Sequence, residues 1–136
     1  MALFYADASA LVKLVREESE TAALGTFLAG ADIISSELVL TEVPRAVHRA
    51  ASNDPALPLD ALMAAADDVL QTLALLPIDR ALLLAAGALA EPMLRALDAI
   101  HIASAITVLP IDAFVTYDDR QGAAARLAGL RTVAPG

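Results

Sequence analysis

Residues Leu3-Phe4-Tyr5-Ala6-Asp7-Ala8-Ser9-Ala10-Leu11-Val12-Lys13 pass from strand to helix through one acid. Leu3–Ala6 is a short apolar run. From Ser9 the period changes, and Leu11, Val12, Leu14 and Val15 form an apolar helical stripe. A buried strand that feeds directly into a helix is the opening of a βαβ unit, which requires a parallel sheet covered by helices. Asp7 falls at the C-terminal end of that strand, the edge at which open α/β sheets bind ligands. Asp is also a favoured N-cap of the helix that follows. These residues alone leave both roles open for Asp7, and the positions of the other acids bear on the choice.

The remainder repeats the alternation. Arg16–Glu20 is a polar turn, with Ser19 expected to cap a helix over Thr21–Leu28 that Gly30 ends. Asp32–Ser35 reads as the second strand and Ser36 as the start of a helix to about Ala51. Pro44 must kink that helix or sit in a late first turn. Residues 53–58 form a loop and Leu59–Leu70 a helix. Leu73–Ile78 is ambiguous, with Pro77 pointing to an edge strand. Asp79 caps a helix over Arg80–Ala90, Glu91-Pro92 breaks it, and Ala96–Leu109 is an apolar helix. A strand at Ala113–Tyr117, a helix over Arg120–Leu127 and a strand at Arg131–Val133 complete the pattern. Without a repeat or a linker, residues 1–136 form a single α/β domain with right-handed crossovers.

Composition narrows the function. The chain carries a formal net charge of -8, which argues against holding nucleic acid by a broad basic face. An enzyme that meets phosphates through metal ions and a few arginines remains open. With no cysteine, thiolate zinc sites and disulfides are excluded, as suits a cytoplasmic home. No basic leader opens the chain, so a signal peptide is not expected. No uncharged apolar run is long enough for a membrane.

Most acids fall in turns or on polar faces, but four positions do not. Asp7 ends one strand, and Asp118, with Asp119 beside it, ends another. Glu42 and Asp98 sit among apolar residues of helices, where a carboxylate is costly to bury unless it is paired or bound to metal. Parallel strands bring Asp7 and Asp118 to one edge, and helices entering that edge can add Glu42 and Asp98. Each acid also has a structural reading. Asp98 can pair with Arg95 or cap its helix, Glu42 can pair with Arg45, and Asp118 or Asp119 can cap the last helix. Gathered together, the carboxylates repel, and a hard divalent cation relieves the repulsion. Oxygen-only ligands favour Mg²⁺ or Mn²⁺ over zinc.

In order, Phe4–Lys13, Ser36–Ala46, Leu97–Ala105 and Phe114–Arg120 resemble the four motifs of PIN-domain ribonucleases, and the length is similar to the VapC-type toxins of bacterial toxin–antitoxin pairs. The resemblance covers nearly the whole chain. It implies a three-layer α/β/α sandwich around a central parallel sheet of four to five strands. It further implies an acidic Mg²⁺ or Mn²⁺ pocket and endonucleolytic cleavage of RNA that leaves a 5′-phosphate and a 3′-hydroxyl. Asp7, Glu42, Asp98 and Asp118 match the acidic quartet, with Asp119 a possible extra ligand. Thr116 matches the hydroxyl that orients the last acid, and Ser9 a small polar residue near the first. A cognate VapB-type antitoxin is implied as partner.

Arg45 and Arg49 follow Glu42 at helical spacing and, with Lys13, are candidate contacts to RNA phosphates. Arg16, Arg95 and Arg120 lie near the acids in sequence and are weaker candidates of the same kind. His48 and His101 read as surface or packed helical residues, with a supporting role open to His101 one turn after Asp98. The aliphatic helices Thr21–Leu28 and Ala61–Leu70 suggest a homodimer. Two rival readings are a phosphoaspartate or receiver-like domain and a non-catalytic PIN-like binding module. Ser9, where a dehalogenase-type enzyme needs a second acid, counts against the first. Four filled acidic positions count against the second.

Overall fold

A computed structural model describes residues 1–136. The first strand, β1 (Leu3–Ala6), is the middle of a five-stranded sheet. It leads through α1 (Ala8–Val15) and α2 (Thr21–Leu28) to β2 (Asp32–Ser36). Helices α3 (Val39–Asn53) and α4 (Leu59–Gln71) then lead to β3 (Ala74–Leu76). The chain returns through α5 (Arg80–Gly87) and α6 (Ala96–Thr107) to β4 (Ala113–Val115), and ends with α7 (Asp119–Leu127) and β5 (Thr132–Val133). The strand order is β3-β2-β1-β4-β5 and every pairing is parallel. The chain first grows outward from β1 on one side and later on the other. The crevice between the C-terminal ends of β1 and β4 is therefore the switch point of the sheet.

Strand alternation assigns the two faces. Phe4, Ala6, Ala113 and Val115 share one apolar core with Leu11, Val15, Leu24, Val43, Val47 and Leu70, from α1 to α4. Tyr5 and Phe114 point the other way, into a core with Ile102, Ala124 and Ala125 of α6 and α7. Their rings stack at 5.1 Å. A third cluster, Leu82, Ala86, Ala99 and Ala103, joins α5 to α6. The expected three-layer α/β/α sandwich is the fold observed.

Several boundaries differ from the sequence reading. The helix expected from Ser36 begins at Val39, because Ser35 and Ser36 pair with Leu75 and Leu76 and extend β2. Ser35 Oγ also donates to the Ala6 carbonyl, at 2.6 Å. Pro44 lies inside α3, beyond its first turn. Ser19 does not cap α2: Glu20 holds that position, and the Ser19 hydroxyl donates to the Glu20 carboxylate instead. The α5 helix stops at Gly87 and α6 at Thr107, and β4 ends at Val115, two residues earlier than expected.

The surface expected to drive dimerisation is also placed differently. The large apolar side chains Leu24 and Leu28 of α2 and Leu70 of α4 are buried in the protein's own core. The exposed large apolar residues are elsewhere, among them Leu83 and Leu84 on α5, Met93, Leu97 and Leu127. No helix is long and apolar enough to cross a membrane.

Candidate active site

Four helix starts meet at the C-terminal edge of the sheet, and each brings one acid. Asp7 caps α1, Glu42 and Asp98 lie in the first turns of α3 and α6, and Asp118 caps α7. The partial positive charge at a helix N-terminus offsets some of the mutual repulsion of such acids. All four line one pocket of about 620 Å³, together with Ser9, Lys13, Thr41, Arg45, Arg49, His101, Tyr117 and Gln121.

Asp7 is the floor, only 3% exposed. Its Oδ1 accepts from the Ser9 hydroxyl at 2.6 Å and from the Ala10 amide at 3.1 Å. Its Oδ2 accepts from the Thr116 hydroxyl at 2.5 Å. Asp7 is thus both the cap of α1 and a wall of the pocket. Burial pushes its pKa above the ordinary carboxylate range, and the hydrogen bonds from Ser9 and Thr116 only partly oppose this. Thr116 and Ser9 also receive backbone amides, Asp118 N–H on Thr116 Oγ1 and Tyr117 N–H on Ser9 Oγ. The turn after β4 is thereby fastened to the turn after β1. Thr116 bonds directly to the first acid rather than to the last, which it meets only through the backbone.

Asp98 is the contrasting case. It is half-buried and enters none of the chain's ion pairs, which are Lys13–Glu18, Lys13–Glu20 and His101–Glu42. Neither of the structural readings for it, pairing with Arg95 or capping its helix, is observed, since the α6 N-cap is Arg95. Burial and then the neighbouring charge of Asp118 push its pKa up, with Asp7 and Glu42 adding to the effect. Asp118 is exposed, and its Oδ1 accepts from Gln121 N–H at 3.0 Å, so one residue serves as cap and as pocket wall. Asp119, the possible extra ligand, is exposed and lines a separate depression with Arg126 and Thr132.

Glu42 does not pair with Arg45. Its Oε1 lies 2.6 Å from His101 Nε2. His101, read from sequence as a packed or surface helical residue, is 2% exposed and lines the pocket, whereas His48 is on the surface. Gln121, 1% exposed, also lines the pocket, with its Oε1 unpaired. The sequence offered one signal for His101, its place one turn after Asp98, and none for Gln121.

Arg45 and Arg49 are exposed and unpaired on α3 and line the pocket. Lys13 lines it too but is already engaged, at 2.7 Å from Glu18 and 2.9 Å from Glu20, with its ammonium 4.9 Å from the centre of the Tyr117 ring. Arg16, Arg95 and Arg120 do not line this pocket.

No three carboxylate or imidazole groups stand close enough to enclose an ion. The donor chemistry nonetheless suits a hard divalent cation. The acids offer only oxygen, and Asp98 has both of its oxygens free. Asp118 and Glu42 each have one oxygen without a protein donor.

The parallel sheet and the acids gathered over its switch point define an α/β domain with an acidic pocket on the C-terminal edge of its strands. The PIN domain family matches residues 4–127, and the chain belongs to that family. It is 41% identical to Ribonuclease VapC35 of Mycobacterium tuberculosis, with 98% of each chain covered, and 36% identical to Ribonuclease VapC46 of the same species, with 99% of each covered. Among solved structures, it superposes on M. tuberculosis VapC20, a sarcin-ricin loop cleaving toxin, with TM-score 0.72 and 18% identity, covering 97% of this chain and 99% of that one. It superposes on VapBC2 of Rickettsia felis, solved with a promoter DNA fragment, with TM-score 0.69 and 14% identity, covering 98% and 99%. At such identities these two structures speak to the fold.

Proposed function

We propose that this chain is an Mg²⁺- or Mn²⁺-dependent endoribonuclease and the toxin of a toxin–antitoxin pair, acting on cytoplasmic RNA. The observation that carries the reading is Asp98, a half-buried carboxylate without a protein partner, facing the charges of Asp118, Asp7 and Glu42 in one pocket. Relatives named ribonucleases over almost the entire chain support the activity and the substrate class.

Asp7, Asp98, Asp118 and Glu42 would hold the metal. When bound, the ion supplies Lewis-acid stabilisation of charge on the phosphoryl oxygens and lowers the pKa of water. Asp7 provides a fixed oxygen, because Ser9, Ala10 and Thr116 determine its orientation. Asp98 has no protein partner, and Asp118 keeps one oxygen free while the other caps α7. Arg45 and Arg49 bind backbone phosphates on the α3 side, one helical turn apart, and keep a polyanion in a protein that is acidic overall. Lys13 contributes less, since Glu18 and Glu20 neutralise it.

A VapB-type antitoxin is the proposed partner, supported by the VapBC2 assembly of the structural relative. A homodimer is also proposed, and the exposed apolar residues of α5 and α6 (Leu83, Leu84, Leu97) are the side chains available to it.

The test is cleavage of a structured RNA with Mg²⁺, with Mn²⁺ and with excess chelator, comparing wild type with Asp98→Asn. Cleavage only with metal, lost in the variant, is the expected result. Equal cleavage by both proteins, or cleavage that survives chelation, overturns the reading.

A further inference from the structure

Tyr5, His101 and Glu42 form a hydrogen-bonded chain from the central strand to α3. The Tyr5 hydroxyl is 2.8 Å from His101 Nδ1, and His101 Nε2 is 2.6 Å from Glu42 Oε1. Tyr5 is wholly buried and stacked on Phe114, and it meets the imidazole edge-on at 5.8 Å. The imidazole is therefore fixed by packing as well as by its two polar contacts.

The donors can be assigned from elementary chemistry. An ionised carboxylate only accepts, so Nε2 carries the proton that bonds to Glu42. A ring that carries this one proton takes the Tyr5 O–H on Nδ1. Burial drives the phenol pKa far up, so that donor persists.

The placement of the three residues is as informative as the bonds. Tyr5 stands two residues before Asp7 on β1, and His101 stands three residues after Asp98 on α6. Their chain ends on the acid of α3. The central strand that ends at Asp7 and the helices that bear Asp98 and Glu42 are thus tied by one polar thread.

We infer that His101, oriented by Tyr5, is a positioning residue for Glu42. It occupies Oε1 and leaves Oε2 as the oxygen available to a ligand in the pocket. The role in the reaction rests on the reading under Proposed function. Glu42 is then preset like Asp7, and Asp98 is the one acid of the four without a protein partner.

The experiment has three readouts. In protein labelled with ¹⁵N histidine, NMR is expected to show a proton on His101 Nε2, and a bare Nε2 overturns the assignment. In steady-state cleavage, His101→Leu is expected to lower kcat by ~10–100-fold while KM for RNA stays within about twofold. His101→Gln, whose amide N–H can reach the place of Nε2–H, is expected to recover much of that loss. Mn²⁺ affinity, measured by electron paramagnetic resonance, is expected to fall with kcat in the Leu variant. A purely structural histidine would instead lower thermal stability in both variants and leave kcat per folded molecule unchanged.

If His101→Leu does not fold, Tyr5→Phe carries the test. Loss of the hydroxyl is expected to mix the tautomers and lower kcat several-fold, and a wild-type tautomer with wild-type kcat overturns the inference. A folded His101→Leu protein with wild-type kcat and Mn²⁺ affinity overturns it while leaving the nuclease reading intact. A wild type that neither binds Mn²⁺ nor cleaves RNA overturns that reading, and the positioning role falls with it.

Discussion

Two carboxylates share one pocket and are built in opposite ways. Asp7 is buried, with donors on both oxygens and a fixed place at the end of the central strand. Asp98 is half-buried and has no protein partner. Both have raised pKa values and burial is the first cause in each, but hydrogen bonds oppose the shift at Asp7 while the Asp118 charge reinforces it at Asp98. The protein fixes one acid itself and leaves the other to whatever enters the pocket. A rigid floor with an adjustable rim suits a site that must admit a ligand, orient it and release it.

Neutralising either acid is the most severe way to break that comparison. Asp7→Asn and Asp98→Asn are each expected to reduce cleavage on the order of 10³-fold, since loss of a few kcal/mol of charge stabilisation multiplies tenfold per 1.4 kcal/mol. Asp98→Asn is not expected to lower the melting temperature of the metal-free protein, because it removes a charge that the fold disfavours and no hydrogen bond. Calorimetry beside the kinetics checks both halves, and a large fall in melting temperature for Asp98→Asn would contradict a partnerless rim.

Next in size is removal of a floor support. Thr116→Val leaves Asp7 Oδ2 without its donor, and is expected to cost about 1–3 kcal/mol of stability and ~10–100-fold in activity. Denaturant titration and initial rates measure the two effects. The equivalent loss does not exist at Asp98, which has no support to remove.

The pH dependence of stability follows from the same shifts. A carboxyl whose folded pKa is raised contributes stability fully below its unfolded value, and that contribution is lost as pH rises through the folded value. Asp7 and Asp98 both start from 3.8 and shift upward, so the metal-free protein should lose their contribution as pH climbs from about that value through the raised ones. Melting curves over that range test the sign. Added Mn²⁺ is expected to reverse the trend, and Asp98→Asn to flatten it.

Smaller effects fall on the cations. Arg45→Ala and Arg49→Ala should each raise KM for RNA and reduce the slope of log affinity against log salt by about 0.7. Lys13→Ala should leave that slope unchanged and alter stability by under about 1 kcal/mol, as for other surface ion pairs. Filter binding across a salt series separates them, and a Lys13 effect equal to that of Arg45 would refute the view that Glu18 and Glu20 neutralise it.

Much of this site was legible before the structure. A short apolar run that gives way to a helical stripe, and acids at strand ends, are local signals, so β1, α1 and the convergence of Asp7 with Asp118 followed from the chain alone. Contacts between distant segments were not legible. Ser36 looks like a helix start until β3 pairs with it, and Lys13 looks free until the turn at Glu18–Glu20 folds back onto it. His101 looks like core because its partners, Tyr5 and Glu42, lie 96 and 59 residues away. The apolar residues of α2 and α4 looked like an outer surface because nothing local shows that α1 packs against both helices.

The central position of β1 has a consequence in time. The Thr116 hydroxyl that completes the floor is 109 residues beyond Asp7. A chain emerging from the ribosome presents Asp7 first, but β1 lacks its second neighbour until Ala113–Val115 has been made, and Asp118 follows later still. A partly synthesised chain therefore carries acids without a site. The order of translation itself keeps the pocket unassembled until β4 and Asp118 have been made, and a premature stop anywhere before residue 113 yields a product without this cleft.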